Sequence, residues 1–179
     1  MEWRVRRSTI SGTLAIPPSK SHSIRALLAA TLARGESCIR GPLLEGDGRS
    51  AIHAARCLGA RITERGNDVF VTGIDSLDGG EEFIDAGNSG TTTRLFSAAA
   101  ALGSRARRFD GDASLRTRKM RPLLQALADL GARFSIESGT GDIPFVIRGP
   151  LVGGTTCVSG ITSQFTSSLL FSCPLISTD

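Results

Sequence analysis

The chain has no tyrosine, one tryptophan and only two lysines among its 179 residues. Phenylalanine is the only frequent aromatic residue, with eight copies, so the core must be built mainly from Ala, Leu, Ile and Val. The four cysteines (Cys38, Cys57, Cys157 and Cys173) are far apart and form no CxxC pair, which argues against the usual zinc sites. We expect them to be small buried residues in a reducing cytoplasm.

Long apolar runs and basic clusters interleaved with aromatics are also missing. No stretch approaches the roughly 18 apolar residues of a transmembrane helix, and no signal peptide precedes the first amphipathic segment. The net charge of +4 comes almost entirely from arginine, but the arginines are scattered. We therefore predict no membrane partner, no nucleic-acid partner, and no metal or other cofactor.

An internal repeat is the clearest sign of organisation. The four residues Leu58–Arg61 recur as Leu130–Arg133, 72 positions later. Each copy follows an amphipathic segment, Arg49–Leu58 or Met120–Leu130, that has the apolar spacing of a helix. The glycine in each copy is a typical helix C-cap, so both copies are predicted to end a helix and begin a strand.

A second pattern occurs three times: a turn rich in Ser, Thr and Gly leads into an Ala/Leu-rich helix. The turns are 17–21, 87–92 and 159–164, and the helices are Ser23–Ala33, Thr93–Leu102 and Phe165–Cys173. Short strands are predicted between them, at Ser37–Arg40, Asp68–Thr72, Arg107–Asp110, Pro144–Ile147 and Thr155–Val158. The pattern predicts an α/β fold (α+β by some schemes) of repeated βαβαββ units. Two units are complete and a third has only begun, which predicts a fragment, or a chain that needs the rest of itself.

The three turns are candidate phosphate sites. A helix N-terminus presents unpaired N–H groups and the positive end of the helix dipole, so it attracts anions. In the first turn, Ser21 and Arg25 are four positions apart and share a helix face, with Lys20 beside them. For any single turn ordinary N-capping is the favoured explanation, but the repetition favours a functional site.

Cations also cluster before the second amphipathic helix, where they oppose the helix dipole. They are Arg116, Arg118, Lys119 and Arg121. Either an anionic ligand is bound there or the run is simply solvated, and the sequence leaves both interpretations open. Carboxylates are few near the three turns, so the acid–base groups of any reaction are expected elsewhere.

Four segments, in this order and spacing, resemble the signatures of 5-enolpyruvylshikimate-3-phosphate (EPSP) synthases. They are Pro18–Leu28, Gly87–Arg94, Arg118–Leu123 and Thr162–Phe165. The resemblance implies a cytoplasmic enzyme of aromatic amino acid biosynthesis, a 3-phosphoshikimate 1-carboxyvinyltransferase. It would transfer the enolpyruvyl group of phosphoenolpyruvate to the 5-hydroxyl of shikimate 3-phosphate and release phosphate.

The resemblance also implies a fold of two globules, an inside-out α/β barrel in which each globule contains three βαβαββ units. Residues 1–14, with a strand at Trp3–Ser8, would belong with the second globule, and residues 15–179 would form most of the first. The second globule would supply the acidic residues for proton transfer. The chain alone is therefore expected to bind substrate without turnover.

The family's site residues carry over to matching positions here. Lys20 would be catalytic and bridge both substrates. The resemblance assigns Lys20, Ser21, Arg25, Thr162, Ser163 and Gln164 to shikimate 3-phosphate. It assigns Lys20, Asn88, Gly90, Arg118 and Gln164 to phosphoenolpyruvate, where the herbicide glyphosate competes. Arg94 would be a structural anchor of the second turn.

Three positions depart from the family pattern: Thr162 replaces a serine, and Leu95 and Lys119 replace prolines. One alternative is UDP-N-acetylglucosamine enolpyruvyl transferase, but that family has asparagine at Ser21 and usually a reactive cysteine at Ala113. The other is a non-catalytic anion-binding half-protein, which would ignore the shikimate ring.

Overall fold

The structure, a computed structural model, describes residues 2–137 and 141–176. Its helices and strands alternate along the chain as the repeat predicts. The elements are α1 (Lys20–Leu32), β1 (Glu36–Arg40), α2 (Asp47–Cys57), β2 (Arg61–Arg65), β3 (Asp68–Thr72), β4 (Phe83–Asp85), α3 (Gly90–Ala100), β5 (Arg107–Asp110), α4 (Ala113–Arg116), α5 (Arg121–Asp129), β6 (Arg133–Ile136), β7 (Phe145–Arg148) and α6 (Ser163–Ser172), followed by a short 3-10 turn, Cys173–Leu175.

Two sheets with the same local topology confirm the repeat. The first has strand order β1-β3-β2 and the second β4-β5-β7-β6. In both, the last two strands of the unit form an antiparallel pair that also pairs antiparallel with the strand before them. Only the second sheet carries the extra strand β4, parallel to β5. The second unit is thus a complete βαβαββ unit, whereas the first lacks its opening strand among the described residues.

The helices pack together between and against the sheets. Helix α3 contacts α1, α2 and α6, and α1 also packs on α2. Ten of the eleven residues of α3 are buried, most of them Ala, Thr, Ser or Gly, which lets neighbouring helices approach closely. Around them the apolar side chains form one continuous core that includes Phe96, Phe109 and Phe145. No helix of the described part is long and apolar enough to cross a bilayer.

Two predicted strands are not formed. Thr155–Val158 pairs with no described strand, and its residues are exposed or half-buried. Trp3–Ser8 is likewise unpaired in the described chain, with Trp3 83% exposed. A strand needs a partner for its backbone N–H and C=O groups, and no described strand provides one. The assignment of residues 1–14 to another globule stays a prediction, and the predicted boundary at residue 179 lies outside the described residues.

Smaller corrections concern side chains and boundaries. Cys57 is buried and Cys173 half-buried, but Cys38 and Cys157 are exposed, so the expectation of four buried cysteines was wrong. Helices α1, α3 and α6 each begin two or three residues before the predicted start, directly on the turn. The sequence did not predict β4 or the short helix α4.

The cation cluster before α5 has an internal explanation. Asp142, from a distant loop, accepts hydrogen bonds from the backbone N–H of Met120 at 2.8 Å and of Arg121 at 3.0 Å. Its carboxylate also lies 3.6 Å from the Arg121 guanidinium. Asp142 therefore caps α5 and balances the cations there. Asp142 thus gives Arg121 an anionic partner within the protein.

We expect Asp142→Ala to lower the free energy of unfolding by ~2 kcal/mol, because one buried and one partly buried N–H group lose their acceptor. Burial raises the pKa of Asp142, but the Arg121 and Met120 N–H groups and the nearby cations outweigh it, so the pKa lies below its usual 3.8. A depressed folded-state pKa stabilises the protein above the unfolded value and less so as pH falls through the folded value. Urea unfolding at pH 7 and below pH 4 measures both effects.

The matched control is Asp75→Ala, which removes a carboxylate that is 84% exposed and should change stability little. If Asp142→Ala unfolded with the stability and pH dependence of the parent chain, the capping role would be wrong.

Candidate functional site

Four helix N-termini meet at one side of the helix layer. Gln164, in the first turn of α6, donates to Thr91 Oγ1 in the first turn of α3 at 2.9 Å. Arg25, one turn into α1, donates to Ser167 Oγ of α6 at 2.9 Å. Thr92 Oγ1 donates to the carbonyl of Asp47, at the start of α2, at 3.5 Å. Because each helix start carries partial positive charge, their convergence makes a surface suited to anions.

Each turn is capped by a hydroxyl residue. The side chains of Ser19, Ser89 and Thr162 accept a hydrogen bond from the first turn of α1, α3 and α6 respectively. Capping satisfies one orphan N–H group per helix and leaves others at the surface. The capping interpretation and the binding interpretation are thus compatible.

The first turn holds Lys20 against a carboxylate that sequence reasoning missed. Lys20 Nζ lies 3.1 Å from Asp47 Oδ2, with side chains 54% and 23% exposed. Asp47 is the first residue of α2, and only the packing of α1 on α2 brings it here. Its position at a helix start gave no specific signal, since acidic residues are common there for dipole reasons alone.

Arg25 is half-buried, and all three nitrogens of its guanidinium donate hydrogen bonds. Nε and Nη2 donate to Ser167 Oγ, and Nη1 donates to the Ser21 carbonyl at 3.1 Å. Ser21 itself is exposed beside it. The predicted pair on α1 is therefore adjacent, and Ser167 is a second neighbour that the sequence did not indicate.

The second turn contacts the arginine loop. Arg118 Nη2 donates to Asn88 Oδ1 at 3.0 Å. Gly90 is buried, and a Cβ added there would lie 3.0 Å from Arg118 Nη1 and 3.1 Å from its Cδ. The neighbouring Arg116 binds Asp110 instead, at 2.9 Å to each carboxylate oxygen. Of the cluster, Arg118 is the arginine that reaches the second turn.

The third turn joins the second through Gln164. Its carboxamide oxygen accepts from Arg94 Nη1 at 2.7 Å, and its nitrogen binds Thr91. Thr162 caps α6 and Ser163 is the exposed first residue of that helix. The described structure thus brings all nine predicted site residues to the helix starts or the adjoining arginine loop.

Positive charge is concentrated here without full compensation. Burial lowers the pKa of Arg94, and the neighbouring Arg118 charge lowers it further. Two guanidinium groups close enough to influence each other would be stabilised by an anion between or beside them. Within the described residues no group of three or more His, Cys, Asp or Glu side chains is arranged to hold a metal ion.

A second polar cluster lies outside this surface and lacks a reactive group. Cys57 Sγ lies 3.5 Å from His53 Nε2. Burial and the neighbouring Glu81 charge raise the pKa of Cys57 to about 11. The thiol is therefore protonated at neutral pH and is a poor nucleophile.

The chain is similar to known proteins along almost its whole length. The sequence profile of EPSP synthase (3-phosphoshikimate 1-carboxyvinyltransferase) matches residues 5–179. A 3-phosphoshikimate 1-carboxyvinyltransferase of Acetivibrio thermocellus is 43% identical over 183 residues, covering 100% of this chain and 43% of that protein. One from Methanothrix thermoacetophila is 46% identical, covering 97% of this chain and 41% of that protein. The chain thus spans about two-fifths of the length of these relatives.

Solved structures show the same fold. EPSP synthase from Acinetobacter baumannii superposes with a TM-score of 0.79 at 27% identity, covering 90% of this chain and 37% of that structure. The enolpyruvyl transferase NikO from Streptomyces tendae has a TM-score of 0.57 at 16% identity, covering 91% of this chain and 38% of that one, and its likeness bears on the fold alone. The profile match over almost the whole chain, together with relatives above 40% identity, places this chain in the EPSP synthase family.

Proposed function

We propose that this chain is the substrate-binding part of an enzyme that transfers the enolpyruvyl group of phosphoenolpyruvate to the 5-hydroxyl of shikimate 3-phosphate. The observation that carries the proposal is the set of contacts joining the helix starts, Arg25 to Ser167 and Gln164 to Thr91, with Arg118 beside Asn88. Both substrates are phosphate esters, and this surface offers N–H, hydroxyl, ammonium and guanidinium donors.

Two neighbouring subsites divide the surface. Around α1 and α6, Ser21, Arg25, Thr162 and Ser163 supply hydroxyl and guanidinium donors for shikimate 3-phosphate. Around the second turn, Asn88, Gly90 and Arg118 would receive phosphoenolpyruvate, and glyphosate would compete there. The residues proposed to reach both ligands are Lys20 and Gln164.

Catalysis needs a base for the 5-hydroxyl and an acid for the methylene carbon, followed by loss of phosphate. Lys20 and Asp47 are the titratable pair in contact at this surface, 3.1 Å apart. An ammonium held by a carboxylate can neutralise developing charge on the phosphate and exchange a proton. We assign Lys20 the catalytic role and Asp47 the role of holding it.

Two further expectations accompany the proposal. The four cysteines form no disulfide, which supports a reducing, cytoplasmic setting. A segment beyond this chain would supply further acid–base groups and exclude water, since the chain spans only part of its relatives. The UDP-amino-sugar alternative remains disfavoured by Ser21 and Ala113, at positions where that family has other residues.

Arg25→Ala, in a full-length enzyme that contains this chain, should weaken shikimate 3-phosphate binding by ~1.5–3 kcal/mol, the worth of a charge-assisted hydrogen bond. Titration calorimetry measures the change. Arg133→Ala is the matched control, because it removes the same charge from an exposed position on β6. Unchanged affinity in the Arg25 variant would remove this residue from the site.

Gly90→Ala should raise the glyphosate inhibition constant and the phosphoenolpyruvate KM more than it alters shikimate 3-phosphate affinity. The added methyl would press on Arg118 at about 3.0 Å and turn its guanidinium away from the second turn. Steady-state kinetics with each ligand varied in turn separates the effects. Gly79→Ala, whose Cβ would meet Ser76 O at 3.4 Å, controls for the glycine change itself. Equal losses for both ligands would contradict a local effect.

The 179-residue chain alone should bind shikimate 3-phosphate weakly and prefer it to inorganic phosphate, yet release no phosphate from the substrate pair. Turnover needs acid and base groups within about 3 Å of the reacting atoms and a site closed to water. A phosphate-release assay tests this. A rate within about tenfold of a full-length relative would mean that the proton-transfer groups lie in this chain. Equal affinity for inorganic phosphate would favour the anion-binding alternative.

A further inference from the structure

The side-chain amide of Gln164 is held at both ends. Its oxygen accepts a 2.7 Å hydrogen bond from Arg94 Nη1, and its nitrogen donates to Thr91 Oγ1 at 2.9 Å. Arg94 and Thr91 lie on the same helix, three residues apart, so both contacts come from one rigid turn of α3. A glutamine side chain held in this way loses most of its rotational freedom.

The partner at the oxygen end decides which way the amide faces. The oxygen and nitrogen ends of a carboxamide have almost the same shape, and only hydrogen bonding distinguishes them. A guanidinium is a donor without acceptor capacity, so the end that meets Arg94 must be the oxygen. The NH2 group then faces the second turn, with one N–H on Thr91 and the other left for a further acceptor.

The Arg94 guanidinium is itself tightly enclosed. Its Cζ lies 5.5 Å from the centre of the Phe165 ring, and Nη2 donates to the Lys119 carbonyl at 3.4 Å. Its Nε is buried and has no partner among the described residues. Burying a guanidinium with an unpaired N–H costs free energy of folding. A purely structural role for Arg94 would therefore come at a cost in stability.

We propose that Arg94 is a positioning residue that fixes the Gln164 amide as a hydrogen-bond donor toward the anion bound at the second turn. This inference rests on the proposed function, since it supposes an anionic substrate at that turn. Without Arg94 the amide can reverse and present its oxygen to the anion. The partial negative charge of that oxygen would then repel the anion. Arg94 would thus act on phosphoenolpyruvate through Gln164 rather than by direct contact.

A double-mutant cycle in the full-length enzyme tests the coupling. Arg94→Lys retains the charge but not the planar guanidinium. We expect it and Gln164→Ala each to raise the phosphoenolpyruvate KM by ~tenfold, about one hydrogen bond. The double variant should be no worse than Gln164→Ala alone, and the affinity for shikimate 3-phosphate should change less. Additive losses, or an Arg94→Lys enzyme with the parent KM, would overturn the inference.

A second measurement does not depend on catalysis. In the ¹H–¹⁵N correlation spectrum of the ligand-free parent protein, the two Gln164 side-chain amide signals should lie away from the positions of a free glutamine side chain. In Arg94→Lys they should move toward those positions. An unchanged pair of signals would overturn the positioning role. If the parent enzyme shows no enolpyruvyl transfer, the proposed function fails, whereas these signals still report whether Arg94 orients the amide.

Gln164→Glu covers the case in which Arg94→Lys does not fold. The glutamate retains the shape and the contact with Arg94 but has no N–H to donate. It should raise the phosphoenolpyruvate KM at least as much as Gln164→Ala. A glutamate variant that binds phosphoenolpyruvate as the parent does would show that Gln164 is not a donor, and the inference would be wrong.

Discussion

The close packing of α3 against three other helices is the constraint on which the rest of the structure depends. Ten of its eleven residues are buried, and its small side chains let α1, α2 and α6 approach. Because α1, α3 and α6 each follow a capped turn, bringing the helices together also brings their N-termini together. The fold therefore creates an electropositive surface as a consequence of core packing, before any ligand is considered. Arg94, half-buried on α3, lies where this packing meets the surface.

Carboxylates elsewhere determine which arginines remain at that surface. Asp110 engages Arg116 and Asp142 engages Arg121, each with a side chain only 7% exposed. Arg118 lies between Arg116 and Arg121 in sequence, and its guanidinium donates instead to Asn88. The cations of this run are therefore divided among separate partners within the described residues. Internal acids pair with two of its members, and a third is directed to the second turn.

The sequence predicted what is local and missed what is distant. The turns with their hydroxyl caps and the repeated Leu-Gly-Ala-Arg segments have short-range signatures, so α1, α3, α6 and the paired strands other than β4 were predicted within a few residues. Asp47 and Asp142 were missed because each acts on residues more than twenty positions away, and nothing in their neighbourhoods distinguishes them from surface acids. The strand predicted at Thr155–Val158 has suitable residues but no described partner, since propensity cannot supply a hydrogen-bonding neighbour.

The surface at the helix starts forms without a paired strand before every helix. The segments before α1 and α6 are unpaired in the described chain, whereas β4, before α3, pairs with β5. Yet all three helices are capped, and their starts contact one another through Arg25, Gln164 and Thr91. The arrangement of the surface at these helix starts is therefore set by helix packing and by side chains within the described residues.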